Sequence, residues 1–145
     1  MAVKRISPAE TNTLLGEGYR YIDVRSVDEY NQGHPKGALN VPLMHAGPGG
    51  MAPNPEFLAV MNAAFAKDAK LVLGCRSGAR SQRAAMMLES AGFSGLLEMR
   101  GGWSGEGDQF GRMVEPGWQS LGLPAETEPT PGSSWAELRK QNTSP

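Results

Sequence analysis

The sequence predicts an α/β fold in which helices cover both faces of a parallel sheet. Three observations point there. Short apolar runs alternate with segments that carry helix-start signals, the pattern of strand–helix–strand units. The run at 71–73, Leu-Val-Leu, is wholly apolar, as a parallel strand buried on both faces requires. The 145 residues, 39% hydrophobic and 20% charged, suffice for one real core and are too few for two ordinary domains.

Each element has its own local reason. Ser7-Pro8-Ala9-Glu10 is a helix start: Ser7 caps, Pro8 takes the first turn and Glu10 returns the capping-box bond. Leu14 and Leu15 supply an apolar side before Gly16 and Gly18 end the helix. Residues 19–24, YRYIDV, read as a strand that leads into Arg25. Ser26-Val27-Asp28-Glu29 repeats the capping-box spacing and predicts a brief helix to Gln32, closed by Gly33. Residues 38–41 form a second strand stopped by Pro42, and 45–53, HAGPGGMAP, reads as a loop. Asn54-Pro55-Glu56 opens a helix with Phe57, Leu58, Met61, Ala64 and Phe65 at helical spacing. A third strand at 71–73 precedes the Cys75 loop. A helix over 81–91 follows, with Met86, Met87 and Leu88 assigned to the core. A fourth strand at 96–99 leads to Gly101-Gly102-Trp103. The main domain is expected over 1–124. From residue 125 the composition turns to Glu, Thr, Pro, Ser and Gly, giving a polar tail over 125–145 in which Trp135 and Leu138 offer a short helix the means to dock.

A formal net charge of −1 provides no basic surface for nucleic acid and no polybasic anchor. No segment has the length of apolar sequence that a bilayer span needs, and MAVKRISPAE lacks the apolar stretch of a signal peptide. The expectation is a soluble, cytoplasmic protein. Two histidines and one cysteine, far apart in the chain, make no metal-ligand set, so neither metal nor cofactor is expected. His34 reads as a turn brace and His45 as a solvated loop residue. Arg83 reads as a solvated rim cation.

The single cysteine cannot form an internal disulfide, which leaves an inert core thiol, an intermolecular partner or a reactive group. Its surroundings favour reactivity. Cys75 falls at the carboxyl end of a buried strand, where open α/β sheets gather ligands. Arg76, Ser77, Gly78, Ala79 and Arg80 follow, before a helix. Their backbone N–H groups can curl into an anion-binding nest, Gly78 permitting the close turn. The helix N-terminus and the two arginines add positive charge, which favours the nucleophilic thiolate. An inert buried cysteine is seldom followed by such a run. Loop length bears on the anion. Cysteine phosphatases carry Arg six positions after the nucleophile; here Ser81 holds that place and Arg80 comes one residue sooner. The shorter loop makes a smaller cradle, suited to a single sulfur atom.

These motifs, in this order, resemble the rhodanese family of sulfurtransferases in its single-domain form, over about Ile6 to Pro124. Tyr21-Ile22-Asp23-Val24-Arg25 resembles the family's first sheet motif. Glu29-Tyr30, Gly33-His34 and Gly37-Ala38-Leu39-Asn40-Val41-Pro42 resemble its next signature. Residues 75–81, CRSGARS, resemble its catalytic loop, and Gly101-Gly102-Trp103 its late glycine–aromatic motif. Pro35-Lys36 departs from the usual Ile-Pro, and the second Trp that often follows Gly-Gly-Trp is absent.

The resemblance implies a five-stranded parallel sheet flanked by helices on both faces, and a persulfide on Cys75 formed from thiosulfate or a similar donor. Cyanide or a thiol then takes the sulfur. It implies that residues 76–80 bind the persulfide and the anionic donor. Asp23 and Arg25, at a strand end beside the loop, either support it or form an ion pair tying strand to helix, the commoner use. Trp103 either lines the pocket or packs. Two other readings fit the same fold: a phosphatase or arsenate reductase, against which the missing Arg at 81 counts, and a non-catalytic binding module, against which the retained Cys75 counts.

Overall fold

The structure is a computed structural model that describes residues 3–76 and 79–143. In chain order it contains β1 (Lys4–Ile6), α1 (Pro8–Leu15), β2 (Arg20–Asp23), α2 (Val27–Gln32), β3 (His34–Pro35), β4 (Leu39–Asn40), β5 (Met44–Gly47) and β6 (Gly50–Pro53). There follow α3 (Phe57–Ala64), β7 (Leu71–Gly74), α4 (Ala79–Ser90), β8 (Leu96–Met99), β9 (Glu106–Gly107), β10 (Met113–Glu115), β11 (Ala125–Glu126) and α5 (Trp135–Thr143). Five strands make one parallel sheet in the order β1-β8-β7-β2-β4. The sheet and its flanking helices are those of the predicted α/β class.

Alternation along the strands divides the core between the two faces of the sheet. Ile22, Leu71 and Leu73 join one buried cluster with Phe57, Val60, Met61, Ala84, Leu88 and Leu138, drawn from α3, α4 and α5. Tyr21 and Val72 point the other way and join Tyr30, Ile6, Met99 and Trp118. Trp118, which no motif singles out, is 1% exposed and gives its indole N–H to Pro124 O at 2.8 Å.

Both capping boxes form as the spacing requires: Ser7 with Glu10, and Ser26 with Glu29. Four local expectations are corrected. Residues 45–53 are not a loop. They belong to an antiparallel hairpin in which Met44 pairs Pro53 and Gly47 pairs Gly50. Helix α3 begins at Phe57, because Asn54 spends its side chain on a turn: Oδ1 accepts from Glu56 N at 2.9 Å while Nδ2 donates to Pro42 O at 2.8 Å. Helix α4 starts two residues early, at Ala79. On it Leu88 is core, but Met86 and Met87 are 69% and 41% exposed, since they fall on the helix face turned from the sheet. His34 is fully buried, stacked on Tyr30 at 3.7 Å, with Nε2 3.2 Å from Glu126 of β11.

Beyond residue 124 the chain continues to pack. Strand β11 pairs with β3, and α5 lies against α3 with Trp135 and Leu138 buried in the first cluster. Arg139 Nε meets Glu56 Oε1 at 2.8 Å. Among the described residues no helix is long and apolar enough to cross a membrane. Because Leu138 is 4% exposed, Leu138→Ala should cost about 2–4 kcal/mol in denaturant unfolding. A loss under about 0.5 kcal/mol would show that α5 contributes nothing to the fold.

Candidate active site

Strand β7, between β8 and β2 in the middle of the sheet, delivers Cys75 at its carboxyl end, and α4 carries the chain away. Gly74 is required just before it: a Cβ there would lie 1.7 Å from Tyr21 Oη. The Cys75 residue is 1% exposed, with Sγ 3.3 Å from Ser81 Oγ. Its backbone is held from the side by the glycine–tryptophan turn. Trp103 N donates to Cys75 O at 2.7 Å, and Ser104 N to Arg76 O at 2.9 Å. This approach needs Gly102, whose φ is +56° and whose Cβ would sit 2.4 Å from Cys75 O.

Asp23 and Arg25 are both buried and paired. Arg25 Nη2 lies 2.7 Å from Asp23 Oδ2 and donates also to Gly33 O at 2.6 Å. Burial alone would push the Arg25 guanidinium down, yet the Asp23 carboxylate carries it above its ordinary value. Asn40 Nδ2 donates to the carbonyls of both residues, which joins β4 to the pair. The Arg25 guanidinium lies 5.1 Å over the Trp103 ring. Asp23 and Arg25 thus form a buried ion pair whose guanidinium lies against the Trp103 ring. Trp103 both packs, against Gly33, and lines a cleft.

That cleft, about 340 Å³, is bounded by Arg25, Glu29, Gln32, Arg76, Trp103, Ser104 and Gln119. Arg76 reaches it as an exposed residue. Arg80 does not stand as an open cation: Glu29 closes on it with contacts of 2.7 and 3.0 Å. Glu29 therefore caps α2 and pairs with α4 at once. Burial would raise its carboxyl, but hydrogen bonds from Arg80 and from the Ser26 backbone hold it down at about 2. Ala79 is exposed at the first position of α4. Ser77 and Gly78, and with them the expected nest, lie outside the described residues. Arg83 is exposed, with Nη1 3.9 Å from Met44 Sδ.

Sequence reading passed over Ser81 as a site residue, and over Glu98 and Arg5. Ser81 donates to Glu98 Oε2, and Arg5 Nε pairs with Glu98 Oε1. The visible signal was Glu98 itself, an acid inside the strand Leu96–Met99.

A family profile described as Rhodanese-like domain matches residues 7–106. The chain belongs to the rhodanese family. It is 42% identical over 99 residues to "Thiosulfate sulfurtransferase 16, chloroplastic" of Arabidopsis thaliana, covering 68% of this chain and 82% of that one. It is 43% identical over 90 residues to "Senescence-associated protein DIN1" of Raphanus sativus, 62% of this chain but only 49% of that protein, about half its length. Among solved structures, the crystal structure of Rv0390 from M. tuberculosis superposes with a TM-score of 0.72 at 25% identity, over 88% of this chain and 100% of that one. The rhodanese profile stops at residue 106, so the β9–β10 hairpin and the tail that carries α5 extend past it.

The Glu29–Arg80 pair makes an acid-sensitive contact. A carboxyl held down at about 2, from an ordinary 4.5, stabilises the folded chain above pH 4.5, and that contribution is lost as pH falls from about 4.5 toward 2. In thermal melts, Glu29→Gln should therefore lower Tm at pH 6 and approach wild type as pH falls through that window. A difference independent of pH would contradict the pairing.

Proposed function

We propose that the protein is a sulfurtransferase whose nucleophile is Cys75. The observation that carries this is the placing of the one cysteine at the β7–α4 junction, its carbonyl fixed by Trp103 N at 2.7 Å, beside a polar cleft that presents Arg76. The Cys75 thiolate attacks the outer sulfur of thiosulfate; the donor's S–S bond breaks and sulfite leaves with the electron pair. The terminal sulfur of the resulting persulfide carries the negative charge, which loop N–H groups and the start of α4 are suited to stabilise. A thiolate or cyanide acceptor then attacks that sulfur, and Cys75 leaves as thiolate. The likeness to a chain named thiosulfate sulfurtransferase supports the donor class. Arg76 is the cation that meets the donor, since Arg80 is engaged by Glu29. Only one cysteine is present, so the loaded protein needs an external acceptor to discharge.

Intact mass tests this directly. Wild type treated with thiosulfate should gain one sulfur atom and lose it to cyanide as thiocyanate, while Cys75→Ala does neither. If wild type takes no sulfur from thiosulfate or mercaptopyruvate, the reading fails, and phosphatase-like chemistry or a binding module takes its place.

A further inference from the structure

The sulfur-transfer steps leave one buried charge without a task. Glu98 is 1% exposed and lies on β8, the neighbour of the strand β7 that leads into Cys75. One carboxylate oxygen receives Arg5 Nε from β1, and the other receives the Ser81 hydroxyl from α4. Ser81, itself fully buried, has its Oγ 3.3 Å from Cys75 Sγ. Two hydrogen-bond contacts thus separate a buried carboxylate from the sulfur. A buried carboxylate beside a cation is ordinarily explained by that cation alone; here its second oxygen is turned toward the cysteine.

We propose that Glu98, acting through Ser81, opposes negative charge on Cys75 Sγ and thereby favours the sulfur-loaded form over the bare thiolate. The inference rests on the persulfide reading above, and makes Glu98 a positioning residue. With Glu98 ionised, the Ser81 hydroxyl hydrogen points at the carboxylate, and Oγ offers a lone pair toward Sγ. That geometry suits a thiol, whose S–H can donate, or an uncharged inner sulfur of a persulfide. From the Ser81 side it does not suit a thiolate. When the donor's outer sulfur bonds to Sγ and sulfite departs with the electron pair of the broken S–S bond, the charge on Sγ moves one atom outward, away from Glu98. When an acceptor takes the terminal sulfur, the charge returns to Sγ against the same carboxylate. Glu98 thus makes Cys75 a poorer leaving group and holds the sulfur until a good nucleophile arrives.

Among the described residues, most charges around the pair are already matched. Arg5 faces Glu98 on its far oxygen and is shared with Glu106 of β9. Glu89 of α4 borders the same outer cleft as Arg5 and Glu98 and adds negative charge. Tyr21 of β2 is buried, and its hydroxyl is held well above its ordinary range, mainly by burial and by Asp23, so it stays neutral. On the cysteine side, Arg80 is paired by Glu29 and Arg25 by Asp23, while Arg76 is exposed. Burial also holds the Glu98 carboxyl above its ordinary value despite Arg5 and Ser81.

The test follows the rate of iodoacetamide alkylation of Cys75 against pH, read by intact mass on the full chain. Glu98→Gln should move the half-maximal point down by about one pH unit, the scale expected for a charge at this range partly offset by Arg5. Loaded with thiosulfate, the same variant should give up its sulfur to sulfite at roughly tenfold lower concentration. A merely structural Glu98 would lower Tm and leave the alkylation midpoint where it is. An unmoved or raised midpoint in a Glu98→Gln chain that still melts cooperatively would overturn the proposal. Should that chain not fold, Arg5→Met/Glu98→Met removes both charges and fills the space; its midpoint must also fall, by less, and an unmoved one overturns the proposal equally. Alkylation needs no sulfur transfer. A chain that alkylates as expected yet never takes sulfur from a donor keeps the Glu98 coupling and loses the sulfurtransferase reading. The reverse result removes Glu98 alone.

Discussion

The backbone of Cys75 and Arg76 lies against the backbone of residues 102–104, and much of the site depends on that contact. Two hydrogen bonds, Trp103 N to Cys75 O and Ser104 N to Arg76 O, hold the carboxyl end of β7 to the turn after β8. Each contributes only about 1 kcal/mol net, but the buried groups would cost more if left unmade. Sterics decide the rest. A Cβ at Gly102 would lie 2.4 Å from Cys75 O, and one at Gly101 would lie 2.4 Å from Pro116 O. Once the turn is this close, the Trp103 ring must lie against Gly33 and under Arg25. The guanidinium in turn is buried, and it can stay so because Asp23 and Gly33 O meet it. Removing Asp23 alone would leave a buried cation, a cost of about 3–5 kcal/mol. The Asp-x-Arg and Gly-Gly-Trp motifs, far apart in the chain, are two ends of one packed unit.

Much of this was legible in the sequence because it is local. The capping boxes at Ser7 and Ser26 formed as spaced, and the strand at 96–99 has the observed bounds. Features set by distant partners were not legible. β1 has three residues, two of them cations, and shows no strand pattern; it is a strand because β8 offers it an edge. The 45–53 stretch has the glycine and proline content of a loop, and only pairing with its own other half makes it a hairpin. Arg80 reads as an open cation until Glu29, 51 residues away, is found bound to it. Met86 and Met87 look like core by composition, but α4 turns its Ala84, Ala85 and Leu88 inward instead.

The cations near Cys75 are therefore distributed differently from a plain cluster. Arg25 is matched by Asp23, Arg80 by Glu29, and Arg5 by Glu98 and Glu106. Such pairs are weak sources of net stability, because desolvation offsets most of their attraction. Their value is geometric: Arg80 fixes the start of α4 to α2, and Arg25 fixes β2 to the Gly33 turn. Arg76 lines the cleft as an exposed residue.

The position of Ser81 connects these points to the start of α4. Helix α4 begins at Ala79, so Arg80 and Ser81 both fall in its first turn and point in different directions. Arg80 turns to Glu29 at the edge of the cleft, while Ser81 turns inward between Cys75 and Glu98. A larger, phosphate-sized loop needs its arginine six residues after the cysteine. In this chain that position is fully buried, beside a carboxylate, in space that fits a hydroxyl. The residue at that position, Ser81, thus links Cys75 to Glu98. The Arg80–Glu29 pair and the carboxylate behind the cysteine both follow from where this one helix starts.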